Sequence, residues 1–365
     1  MTRYSSLSRK QAALILLCLC ACIAYALKAA PLGTLIPKSY DAKSSDTPDV
    51  ALYQETVKRV HNGENYYTAL GGVLRAAHRP TDSVLNWRAP LHLMLVALAP
   101  NLIWPRVILA ALGIFALILG FTVMTQTGIA VLAVSEALLM LGPLLVCFGA
   151  EGIYFGEVWA GVLIAASVGA YATGLRKVAI GLALFAPFFR ELALPYVLVC
   201  GVLAWREKRR GETLAFVFGI AAFLAYYATH LIKVHSLLTP ADLPNPAGWV
   251  QFGGIAFLLR ASSVGWLMIL PPWLTAIYLP VSVLGIAGWS HAVAPRIALT
   301  VGAYLVAFSI VGHSVNLYWG ELYAPLLSFG AVIGAISLYE LTRVLLRQQS
   351  IRDYQSPKEV LRSRK

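Results

Sequence analysis

Long apolar runs recur along almost the whole chain, separated by short polar stretches, and this spacing constrains the fold more than any other feature. The runs cover residues 12–27, 89–103, 107–124, 129–149, 158–173, 177–205, 213–233, 264–288, 297–312 and 322–345. An α-helix rises about 1.5 Å per residue, so about 20 apolar residues cross the hydrocarbon core of a bilayer. Backbone polar groups in lipid must be satisfied within the segment, which favours helices. The pattern therefore predicts an all-α polytopic membrane protein of about 10–12 transmembrane or half-membrane helices. Charged residues make up 13% of the chain, against about 25% in soluble domains. A water-soluble globular fold is thereby excluded.

The net charge of +12 raises the question of a nucleic-acid partner, and the location of the charge answers it. Basic residues cluster between apolar runs as topology signals do. Arg3, Arg9 and Lys10 lead; Arg106, the pair Arg176 and Lys177, the group Arg206 to Arg210, and Arg296 punctuate the middle; seven more lie from Arg343 to Lys365. These account for 18 of the 29 Lys and Arg residues. Placing them in the cytoplasm sets both termini inside and one polar loop, 31–86, outside. Residues 1–346 then form the membrane module and 347–365 a basic, poorly ordered cytoplasmic tail. The first run can be read as a cleavable signal peptide or as a retained helix, and the retained helix is expected. Because 171–177 and 205–212 are both inside, 177–205 must go out and return. It is too short for two full spans, so a hairpin of two short helices is expected, broken near Pro187. The same parity suggests a bend in 129–149, near Ser135–Glu136 or Gly142–Pro143. The composition, rich in Ala, Leu and Val, suggests a bacterial inner membrane. All five cysteines lie inside apolar runs and read as small hydrophobes.

Loop 31–86 carries as many acids as bases. A helix is expected over 49–62, capped by Asp46, Thr47 or Asp49 with Pro48 in its first turn and ended by Asn62–Gly63. Val50, Tyr53, Val57 and Val60 form one apolar stripe, so this helix should lie along the membrane surface.

A charge within the bilayer is costly, which makes such residues functional candidates. They gather on the outer side: Asp46, Asp49, Arg88, His92, Glu151, Glu157, Arg190, Glu191, Lys233, His235, Arg260, His313, Tyr318, Glu321 and Tyr323. Plainer readings exist. Arg190 and Glu191 can pair with each other and snorkel; Glu151 and Glu157 can be ordinary loop charges; His313 can be a structural hydrogen-bonding group. The tryptophans and tyrosines supply the interfacial belt.

The string DVALYQETVKRVHNGENYY presents Asp49, Tyr53, Gly63, Tyr66 and Tyr67 in a pattern that resembles the first extracytoplasmic loop of the GT-C superfamily, the membrane glycosyltransferases that use polyprenyl-phosphate sugars. NWRAPLH is similar to the segment that precedes the second helix of such enzymes. FGEVWAGVLIAA resembles the opening of a middle helix, and FFRELALP the hairpin that carries a basic residue, here Arg190; Pro195 comes later than that pattern expects. The resemblance implies an inverting transfer from a polyprenyl-phosphate carrier to an acceptor hydroxyl on a glycan or lipid at the periplasmic face. Asp49 would be the base and Asp46 its alternative. Arg190 would bind the donor phosphate, with Lys233, Arg260 and Arg88 as rivals. Tyr53, Tyr66, Tyr67, Trp87, Glu151, Glu157, Glu191, His313, Tyr318 and Glu321 would line the sugar and acceptor sites. No cofactor or metal is required. The competing expectation is a transporter or flippase, which discontinuous helices and buried charges would suit. Against it stand the absence of an internal repeat and the crowding of polar groups at one face. A non-catalytic assembly subunit is the third.

Overall fold

The computed structural model describes residues 2–30, 48–245, 248, 250–312 and 316–362, with the backbone alone for Trp266 and for 347–362. It is all-helical; among the described residues the one β-type contact is an isolated bridge between Thr2 and Trp289. In chain order the α-helices are α1 (Arg9–Ala29), α2 (Asp49–His61), α3 (Tyr66–Ala76), α4 (Pro90–Ala97), α5 (Ile103–Thr125), α6 (Ala130–Leu144) and α7 (Gly156–Ala172). There follow α8 (Arg176–Phe189), α9 (Leu194–Arg206), α10 (Arg210–His235), α11 (Gly254–Ala261), α12 (Pro272–Gly288), α13 (Ala294–Val311) and α14 (Ala324–Arg362).

Six segments are long and apolar enough to cross a bilayer: α1, α5, residues 130–148 that begin with α6, α10, α13 and the first 23 residues of α14. The shorter apolar helices α7 and α12 pack among them. Each residue of α7 from Gly156 to Ala170 is buried. A helix apolar on all sides has no solvated face to present, and α7 accordingly occupies the centre of the bundle. Helices α12 and α14 approach closely through Gly285, Gly330 and Gly334, where an added Cβ would strike the facing backbone. Small residues spaced four apart allow this contact between membrane helices.

Side-chain contacts separate the two ends of the bundle. At one end Tyr4 Oη donates to Leu284 O at 3.0 Å, Thr2 donates to Glu340, and His291 Nε2 lies 3.1 Å from Gln126 Oε1. Beside them Tyr171 Oη donates to Glu212 Oε1 at 2.7 Å, and Arg296 lies over the Tyr171 ring at 3.7 Å. At the other end sits the cap built by α2, α3 and residues 77–89. Arg75 forks onto Asp242 at 2.7 and 3.0 Å, and the Thr81 N–H donates to Leu243 O at 2.9 Å. The α2 helix closes on this end with its Leu52, Tyr53, Val57 and Val60 face buried.

Several expectations are corrected. The run 89–103 is not a span: α4 has eight residues, about 12 Å, and stops ahead of Pro100, which disfavours helix in the residue before it. The chain turns back, so α5 starts at the capped end and finishes with Gln126 beside His291. Arg106 therefore sits at the end opposite Thr2, not with the other basic clusters. The hairpin over 177–205 is present, but its break is at Arg190; Pro187 lies within α8. In 129–149 the α-helix continues through Ser135–Glu136 and gives way to a 3-10 turn at Leu145, just after Pro143. Pro48 caps α2 with no side-chain hydrogen bond, which leaves the Asp49 carboxylate for other partners. Gly63, at φ 95°, takes the left-handed turn beyond the Asn62 cap. The α14 helix runs on past the expected boundary at residue 347.

Candidate functional site

The first turn of α2 projects Asp49 and Tyr53 from one face, four residues apart. Asp49 Oδ1 accepts from Arg79 Nη2 at 3.0 Å, and Asp49 Oδ2 lies 3.3 Å from Tyr318 Oη. Tyr318 comes from the 3-10 turn Leu317–Leu322, and its hydroxyl is also 3.1 Å from Asn316 Oδ1. A phenol has one proton to give, so it can serve only one of these acceptors at a time.

Arg88 occupies the extended stretch ahead of α4. Its Nε donates to Tyr53 Oη at 2.8 Å and its Nη2 to Tyr318 Oη at 3.3 Å. Tyr66 Oη donates to the Arg88 carbonyl at 2.8 Å and fixes the backbone there. Among the described residues no carboxylate lies within ion-pair distance of Arg88. Burial opposes its charge, but the Tyr53 and Tyr318 hydroxyls and the more distant Glu157 and Glu191 raise its pKa on balance.

Behind Arg88 lies a polar cleft. Arg190, at the hairpin break, places Nε 2.7 Å from Glu157 Oε1 and Nη1 2.7 Å from Glu191 Oε1. The Glu157 contact is an ion pair without a hydrogen bond, since neither Nε nor Oε1 is aligned for one. Glu157 sits in the first turn of α7, where the helix dipole favours an anion. His92 Nε2 lies 2.8 Å from the Ile153 carbonyl. Tyr53, Arg88, His92, Glu157, Arg190 and Glu191 thus face one narrow space of about 10 Å³, barely room for one water, with Tyr154 and Phe189 as aromatic walls. Glu321 is buried beneath it, its backbone carbonyl against Gly161 of α7.

Other candidates stand elsewhere. Trp87 is 2% exposed, donates from Nε1 to Thr81 O at 3.0 Å and lies under Arg75, so its ring is packing material. Tyr67 Oη lies 3.0 Å from His230 Nδ1, and His230 Nε2 is 3.0 Å from the Trp87 carbonyl. With Tyr66 they form a layer that supports Arg88 without lining the cleft. Lys233 is exposed on the last turn of α10, Arg260 is half-buried on α11, and Glu151 is exposed in the turn before α7; none lines the cleft. Asp46 and His313 lie outside the described residues. Sequence reasoning missed Arg79, whose only signal was a basic residue at the loop's end, and gave His92 no role.

The helices and their apolar surfaces define a multi-pass, all-α membrane protein with a charged cleft at one end. No family model matches the chain, and no curated protein or solved structure matches it.

Proposed function

We propose that this protein is an inverting glycosyltransferase of the GT-C type that moves a sugar from a polyprenyl-phosphate carrier to an acceptor hydroxyl. The observation that carries the reading is the meeting of an acid and a cation, Asp49 and Arg88, on the Tyr318 hydroxyl beside a recessed polar cleft. In the reaction the acceptor oxygen attacks the sugar C1 and passes its proton to Asp49. The bond from C1 to the phosphate oxygen breaks, its electrons leave with the phosphate, and the configuration at C1 inverts. Arg88 stabilises the charge that develops on the leaving phosphate. This role passes from Arg190 to Arg88 because two carboxylates already neutralise Arg190. A guanidinium held by hydroxyls alone keeps its fork free to turn to phosphate oxygens. Arg79 and Tyr318 orient the Asp49 carboxylate, and Glu157, Glu191 and His92 are left to meet sugar or acceptor hydroxyls.

The depth of the cleft suits a lipid-borne donor. Helices α8 and α9 have 14 and 13 residues, or about 20 Å each, against about 30 Å for the hydrocarbon core. Arg190 at their tip would then lie below the headgroup level. By the positive-inside rule the Thr2 end faces the cytoplasm and the Asp49 end the periplasm of a bacterial inner membrane. With α7, α8, α9 and α12 added to the six long spans, the chain would cross ten times and return both termini to the cytoplasm.

The test is incubation of the purified protein with a panel of labelled polyprenyl-phosphate sugars, in proteoliposomes that separate the two leaflets. Release of free polyprenyl phosphate with sugar on an acceptor supports the transferase. Movement of intact donor between leaflets without its cleavage would replace it with the flippase.

A further inference from the structure

A second site lies at the opposite end of the molecule. A groove of about 620 Å³ runs between α14, the start of α6 and the N-terminal turn Arg3–Ser6. Its walls are apolar, formed by Ile129, Ala335, Ile336 and Val344. Ile129 is 43% exposed and Tyr339 65% exposed, so the groove opens sideways from the bundle where lipid would stand. Its polar lining is supplied by Ser5, Tyr339, Glu340 and Arg343.

Charge decides what fits there. The Glu340 carboxylate keeps its negative charge and accepts from the hydroxyl of Thr2, a residue 6% exposed, on the side of the N-terminal turn. Arg343, one turn further on, is exposed and has no ion-pair partner among the described residues. An uncommitted guanidinium above an apolar trough, flanked by a serine and an interfacial tyrosine, complements an anionic headgroup above an acyl chain. Arg3, Arg9 and Lys10 lie at the same end of the chain's first helix and add to the positive field.

We propose that this groove binds one anionic glycerophospholipid of the leaflet at the Thr2 end, with its phosphate at Arg343 and one acyl chain between Ile129 and Ile336. The lipid would fill the trough between α6 and α14 and tie the N-terminal turn to both. The site is separate from the Asp49 cleft and stands whether or not the protein is a transferase.

Native mass spectrometry of the full chain, released from nanodiscs of equal phosphatidylglycerol and phosphatidylcholine with matched acyl chains, tests this. Wild type should retain one phosphatidylglycerol in preference to phosphatidylcholine. Arg343→Ala should retain it about fivefold less well, the loss expected for one basic residue at an anionic surface, and Arg343→Lys should restore most of the preference. Ala335→Trp, which fills the trough and keeps the charge, should also lose the lipid. Equal retention of both lipids by wild type, or undiminished phosphatidylglycerol on Arg343→Ala, would overturn the assignment. Arg343 is exposed, so misfolding of that variant is not expected; a monodisperse elution profile checks it.

Discussion

The Tyr318 hydroxyl stands 3.3 Å from the Asp49 carboxylate, joining residues 269 positions apart. The same hydroxyl accepts from Arg88. A neutral phenol thus links the proposed base to the proposed phosphate ligand, and the direction of its single proton decides which of them it supports.

Tyr318→Phe removes that link and little volume. The expected outcome is a fall in kcat of about tenfold, or about 1.4 kcal/mol of transition-state stabilisation, with donor KM nearly unchanged. Steady-state transfer assays on the purified variant check it. A fall confined to KM would instead make Tyr318 a substrate-binding group.

Arg190 and Glu157 have side chains 6% and 3% exposed. Removing one member of a buried ion pair strands the other, at a cost of about 3–5 kcal/mol. Arg190→Met should therefore lower the unfolding temperature in detergent sharply. The double variant Arg190→Met with Glu157→Leu should recover part of the loss, because it removes the most buried pair and leaves unpaired only Glu191, whose side chain is 26% exposed. A double variant less stable than Arg190→Met would contradict the pairing.

Gly285 lies where α12 meets Gly330 and Gly334 of α14. Gly285→Val forces these backbones apart, since the new Cβ would overlap the Gly330 carbonyl. A loss of about 1–3 kcal/mol, typical of overpacking, should appear as a lower unfolding temperature. Gly302→Val, at a helix position with open space around it, serves as the control and should change little.

The helical architecture was legible because hydropathy and basic clusters follow from lipid itself. The expected helix over 49–62 matches α2, since Pro48 and Gly63 mark its ends chemically. The failure at 89–103 is as instructive. The apolar count overlooked Pro100, and a run that looked like one span is a short helix and a turn. That single error carried Arg106 to the wrong end. In the cleft, Arg88, Tyr53, Glu157, Arg190 and Glu191 were singled out, and Tyr318 beside it, because polar groups in an apolar chain are conspicuous. Which charges pair was not legible. Glu157 could read as a loop charge, yet α7 and the hairpin bring it to Arg190 from 33 positions away. Trp87, Tyr66 and Tyr67 look like sugar-stacking rings from sequence, but tertiary packing spends them on supporting the Arg88 segment.

The central claim is that Asp49 takes a proton from the acceptor. Asp49→Asn keeps the size of the side chain and removes its basicity. With wild type transferring sugar from a labelled polyprenyl-phosphate donor, the variant should bind that donor with unchanged Kd and lose kcat by about 100-fold or more, as expected for a general base. A variant that binds donor and transfers sugar at the wild-type rate would contradict the account.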